Sequence, residues 1–130
     1  MAGEKDLSRL LEQLRPALLP ESFVFCAIDA ADQTQLAELA PIASYREDEG
    51  LSLVLTKQQA DAANLSYDSV FRCITLRVHS SLEAVGLTAA VAGCLAANGI
   101  SANVIAAYYH DHVYVPQEKA ELALELLEAL

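Results

Sequence analysis

His79, Ser80 and Ser81 stand together between a β-rich apolar run and an alanine-rich segment, where their side chains suit either of two roles. Serine hydroxyls just ahead of a helix cap its first amides. In a binding corner, the same stretch leaves the amides of Leu82 to Gly86 to meet the carboxylate of a small ligand at the positive end of the helix dipole. Gly86 removes a side chain there and admits a ligand or another backbone. Val85, Leu87 and Val104 supply apolar wall, Asn103 an amide for an ammonium or a side-chain amide, and Ile105 continues the facing strand. The plainer alternative stays open beside this one: Ser80 and Ser81 only cap, and Gly86 only permits tight helix packing.

His110-Asp111-His112 raises a metal reading, because imidazoles at i and i+2 share one side of a strand and His79 offers a third nitrogen. They lack a fixed carboxylate partner, so polar hairpin residues are the expectation, with no metal and no cofactor. Ser80 or Ser81 beside His79 resembles a nucleophile and its base. No nucleophile elbow and no orienting third group accompany them, so no catalytic residue is assigned and the chain reads as a non-enzyme. Nor is there a glycine-rich phosphate loop or dinucleotide fingerprint. The acidic turn Arg46 to Glu49 reads as solvated, or as a partner surface for a basic patch.

The elements that must position these residues belong to a chain of 130 residues with 54% hydrophobic side chains, a net charge of −10 and a mean hydropathy of +0.28. That much apolar surface excludes wholesale disorder, and the charge argues against nucleic acid and anionic membranes as partners. The start, Met1 to Asp6, has no basic-then-apolar export pattern, and the longest weakly polar run, Ala84 to Ala97, spans 14 residues, short of a membrane crossing. Cys26, Cys73 and Cys94 sit among apolar neighbours without metal spacing and read as reduced core thiols of a cytoplasmic protein.

Leu7, Leu10, Leu11 and Leu14 form one helical stripe, capped by Asp6 and stopped by Pro16. Phe23 to Ile28 predicts a strand, and only a weak helical turn is expected at Gln33 to Leu39. Ile42 to Arg46 and Leu51 to Thr56 predict a hairpin, and Lys57 to Ala63 a short helix. Val70 to Val78 predicts a strand, Leu82 to Asn98 a helix ended by Gly99, Ser101 to Tyr108 and Val113 to Val115 a second hairpin, and Gln117 to Leu127 a last helix. Leu122, Leu126 and Ala129, with Ala123, Leu124 and Leu127, are that helix's expected buried face. The helix at 82–98 is apolar nearly all round, which predicts a second packing partner in an interface within the body or between subunits.

The two halves repeat one plan. Ser22-Phe23-Val24-Phe25-Cys26 matches Ser69-Val70-Phe71-Arg72-Cys73, Ile42-Ala43-Ser44-Tyr45 matches Ile105-Ala106-Ala107-Tyr108, and Lys57-Gln58-Gln59-Ala60 falls on Gln117-Glu118-Lys119-Ala120. The offset grows from 47 to 63 between the first and second blocks, which reads as a first-half helix that has withered. The expected fold class is α+β: two ferredoxin-like βαββα units in tandem, antiparallel sheets with helices on one face, the first strand of either half able to complete the other's sheet. The domains are expected at 1–66, with the N-terminal helix and a reduced first unit, and at 67–130, together one compact body.

His79 through Ala90 and Gly99 through Pro116, with Tyr45 to Leu51 in the first half, resemble a small bacterial family of stand-alone tandem ACT-domain proteins, and more broadly the regulatory ACT modules of aspartokinases. The resemblance implies a small amino acid bound at the turn between first strand and first helix, at a dimer interface. Carried over residue by residue, it points to Val78 through Thr88 and the facing Asn103 to Ala106 in the second half. The function it implies is a non-enzymatic regulatory module sensing a small amino acid or related metabolite, as a homodimer acting on an unidentified regulated protein. A ligand-free structural or protein-interaction module keeping the same fold is the alternative.

Overall fold

Residues 3–130 are described by a computed structural model; Met1 and Ala2, the first residues of the stretch read as lacking an export pattern, lie outside them. The chain divides into two compact units. One joins the segment up to Pro20 with Arg72–Leu130; the other is Glu21–Phe71.

In the first of these, α1 (Leu7–Glu12) begins where the Asp6 carboxylate accepts from the Arg9 amide at 3.2 Å, and its leucine stripe drives Leu10 to complete burial. β4 (Phe71–Leu76) leads through a long loop to α4 (Leu87–Ala97), then to the antiparallel hairpin of β5 (Asn103–Ala106) and β6 (Asp111–Pro116). The chain ends in a 3-10 turn, Gln117–Lys119, running into α5 (Ala120–Glu128). Alternate residues Ile74, Leu76 and Val78 face a core that Val91 and Leu95 of α4, Val113 and Val115 of β6, and Leu10 of α1 complete. The sheet order here is β1-β4-β6-β5, β1 being Pro16–Ile28. Its opening residues, up to Pro20, belong to this unit, so a strand from the start of the chain completes the sheet of the second half. The Arg72 guanidinium fastens it by donating to the Leu19 carbonyl at 2.6 and 3.1 Å, and Arg77 donates to that of Arg15 at 3.1 Å.

In the unit Glu21–Phe71, the rest of β1 pairs antiparallel with β3 (Gly50–Thr56), and β2 (Ala43–Glu47) pairs with β3 on its other side. Val24, Cys26 and Ile28 alternate inward against Leu51, Leu53 and Leu55, over which α2 (Gln33–Leu39) and α3 (Lys57–Ala62) place Leu39 and Ala60. Thr56 and Gln59 close a capping box at the start of α3.

Several expectations need correction. β1 starts at Pro16, not Phe23: two prolines and a glutamate mask a strand whose outer residues tolerate them. α2 is not a vestige but a seven-residue helix, because the Asp32 carboxylate caps it by accepting from the Gln35 amide at 2.9 Å. α4 starts at Leu87, five residues after the expected Leu82, since Gly86 takes φ +101° as its N-cap and the residues before it form turns. In α5 the buried residues are Ala120, Ala123 and Leu127, while Leu122 and Ala129 face solvent. Both α1 and α5 touch α4, giving it the second partner its composition demanded, yet Thr88, Ala89 and Gly93 stay exposed. Among the described residues no helix is long and apolar enough to cross a membrane.

Candidate functional site

The repeat makes the two strand-to-helix turns directly comparable. Four residues separate β1 from α2, whereas ten separate β4 from α4. The extra length of the second half lies more in this loop than in the helix, which has eleven residues against seven.

In the short turn, carboxylates of the chain itself take the amides. Asp29 Oδ1 accepts from the Ala31 amide at 2.9 Å, and Asp32 Oδ1 takes that of Gln35. The positive end of α2 is thus neutralised from within. No side chain caps α4, where the N-cap is Gly86. Its first three amides, those of Leu87, Thr88 and Ala89, lie in the turn that has no intrahelical acceptors, so this is the helix end suited to an external carboxylate. The first-turn amides of the helix therefore begin at Leu87, five residues after the Leu82 expected from sequence.

Ahead of that turn, the loop's own needs are largely met locally. Ser81 Oγ accepts from the Glu83 amide at 3.1 Å and the Ser81 carbonyl from the Ala84 amide at 3.0 Å, so Ser81 shapes the loop without capping α4. Ser80 is buried, and a shallow hollow forms over it, lined by Gly3, His79, Ser80, Ser81, Leu82, Glu83 and Tyr108. Of the residues singled out in the sequence, Ser80, Ser81 and Leu82 line this hollow. Val85 is 83% exposed beside it in the chain, and Gly86 and Leu87 open the helix. Gly86 does not stand open to a ligand: a Cβ there would meet the Leu7 side chain at 3.1 Å.

Asn103, Val104 and Ile105 are not among the residues lining the hollow; they lie on β5, which pairs with β6 and not with β4. Asn103 spends its amide on the Tyr114 carbonyl at 3.4 Å, and Val104 packs against the core. What the sequence reading missed is the tip of this hairpin. The ring of His79 lies 6.2 Å from that of Tyr108 and 5.8 Å from that of Tyr109, and the two tyrosines meet edge to face at 5.0 Å. The consecutive Tyr108-Tyr109 was the available signal, since tyrosines are enriched where proteins make binding contacts.

The histidine pair has separate duties. His110 Nδ1 is 3.4 Å from the Val78 carbonyl, and His112 Nδ1 is 3.0 Å from Thr75 Oγ1. Burial pulls the His112 pKa below its ordinary value and pushes the Asp111 carboxyl up. Burial, with Cys73 adding to it, also drives the Tyr114 phenol well above its usual range, keeping it neutral. Among the described residues no three metal-ligating side chains gather as a metal ion would require. None of Cys26, Cys73 and Cys94 is joined in a disulfide, and Cys26 and Cys73 are buried.

Sequence models of the ACT domain match residues 2–72 and 68–129. No curated protein matches the chain. Among solved structures, a protein of unknown function from Vibrio cholerae, described as a possible transport protein, is 50% identical with a TM-score of 0.86, over 96% of this chain and 95% of that one. The ligand-free regulatory subunit of aspartate kinase from Thermus thermophilus is 15% identical with a TM-score of 0.64, over 88% of this chain and 94% of its own. Aspartokinase III from E. coli, in complex with aspartate and ADP, is 13% identical with a TM-score of 0.65, over 88% of this chain and 32% of that one. The last two likenesses are of fold.

Proposed function

This chain belongs to the ACT-domain family, and we propose that it is a non-enzymatic regulatory module that binds a small amino acid or related metabolite in its second ACT domain. The observation that carries the reading is the contrast between the paired turns: Asp32 fills the anion position at α2, while Gly86 leaves that of α4 without a side-chain cap. A ligand carboxylate would take the amides of Leu87, Thr88 and Ala89, with the loop from Ser80 to Val85 and the hollow beside it for the rest of the molecule. The aspartate bound by the E. coli aspartokinase makes amino acids the first compounds to try.

Leu82, 67% exposed, and Val85 flank this helix end, and we take a second copy of the chain as their cover, giving a homodimer with the ligand near its interface. The cysteines without disulfides support a reducing, cytoplasmic setting. We take a separate regulated protein as the recipient of the response, since regulation couples the ligand site to a second one.

Thermal denaturation in the presence of each common amino acid tests the reading. A ligand at 100 times its Kd should stabilise by about 2.7 kcal/mol. Thr88→Glu should abolish that shift while leaving the free protein's stability equal or higher, because an acid in the first turn suits the dipole and repels a second carboxylate. A retained shift in this variant would place the ligand elsewhere. The second reading, a ligand-free interaction module, draws on Tyr108 and Tyr109, 58% and 66% exposed, and gains if no amino acid gives a shift.

A further inference from the structure

The loop of the proposed site already carries a piece of the chain's own backbone. Glu4 and Ser80 form an isolated parallel bridge: the Glu4 amide donates to the His79 carbonyl at 2.9 Å, and the Ser81 amide donates to the Glu4 carbonyl at 2.8 Å. Gly3 lies so close on this bridge that a Cβ would stand 2.5 Å from the Ser80 carbonyl carbon and 2.7 Å from the His79 and Ser80 oxygens. No other residue fits there without moving the segment away. Lys5 pairs with Glu83 at 3.0 Å across the same loop, and both side chains are largely exposed.

The attachment changes character within a few residues. Leu10 and Leu14 are core and Leu7 and Leu11 pack against it, whereas residues 3–5 are held by two backbone hydrogen bonds and two ion pairs, Lys5–Glu83 and Glu4–Arg9, a kind of contact that contributes little. Segments with few buried apolar contacts open at far lower cost than the core they rest on.

We infer that residues 3–5 are a displaceable strap over the loop between β4 and α4, which opens without unfolding the unit and whose Glu4 carbonyl holds the Ser81 amide that a hydrogen-bond acceptor on the rest of an incoming ligand would otherwise take. This regulation rests on the proposed amino-acid site, and the strap's mobility does not. While closed, the strap also walls the hollow with Gly3. Ligand and strap then exclude one another, and affinity in the intact chain is reduced by the fraction of time the strap is closed.

Amide hydrogen exchange on the full-length protein tests this. Ser81 should exchange faster than Ile74 of β4 in the wild type, about tenfold faster again in Gly3→Val and about twofold to threefold faster in Lys5→Glu, with Ile74 unchanged in both. Exchange of Ser81 at the rate of Ile74 in the wild type would overturn the strap, since the segment would then open only with the core. So would unchanged Ser81 exchange in both variants. The amino-acid series run on Gly3→Val should give a larger thermal shift than on the wild type; equal shifts would overturn the gating. No shift in either protein, with Ser81 released in the variants, would overturn the amino-acid site and uphold the strap's displacement.

Discussion

Leu7 of α1 packs against Gly86 at the head of α4: a Cβ on that glycine would meet Leu7 Cδ2 at 3.1 Å, and the glycine's φ of +101° is one that side chains disfavour. The residue is thus fixed by its backbone and its neighbour, independently of any ligand. Gly86→Ala should destabilise the protein by about 1–2 kcal/mol in chemical denaturation. No loss, or a gain, would show that the loop relaxes freely and that α4 has no fixed starting point.

The paired turns make an opposite prediction for the first half. Asp32→Ala should cost about 1 kcal/mol by removing the cap of α2, and Asp32→Asn should recover most of it. Neither should alter any amino-acid shift. A change in ligand response on altering Asp32 would mean that the first ACT domain takes part in binding.

Leu10, fully buried, ties α1 to the core of the second ACT domain, although some sixty residues of chain intervene before β4. Leu10→Ala should destabilise by about 2–5 kcal/mol. A surface-like effect of a few tenths would remove α1 from the core and with it the anchor from which residues 3–5 reach the loop.

Much of this architecture was legible. The alternation of Ile74, Leu76 and Val78 and the internal repeat carry enough local signal to name two ferredoxin-like units, because strand and helix faces are written in nearest neighbours. Pro16 to Ser22 was not legible as strand, since its pairing lies with β4 and its composition argues for a loop. The same holds for the site. Ser80 and Ser81 look like caps in sequence, but Ser81 bonds within its own loop, to Glu83 and Ala84, and the backbone of both serines meets Gly3 and Glu4, far away in the chain. Likewise the meeting of His79 with Tyr108 and Tyr109 depends on a hairpin tip that no local pattern places.

Stability should fall on acidification through a single histidine. Burial is the main cause lowering the His112 pKa from the usual 6.5, with His110 adding to it and Asp111 opposing. The unfolded chain therefore binds the proton first, and stability present above 6.5 drains as pH falls from there through the folded value. Asp111 acts with the opposite sign: its pKa is raised from 3.8 by burial, so its ionised form costs stability and protonation at lower pH returns it. Denaturation at about pH 7.5 and about pH 5.5 should show a drop that His112→Gln reduces. An equal drop in that variant would assign the acid sensitivity to other groups.

On this proposal the end of α4, and not that of α2, receives an amino acid. Amide NMR spectra of the full chain, recorded while each common amino acid is added, address it directly. At least one of them should move the resonances of Leu87, Thr88 and Ala89 and leave those of Gln33, Thr34 and Gln35 at rest. Movement confined to the α2 amides, or no movement with any amino acid, would contradict it.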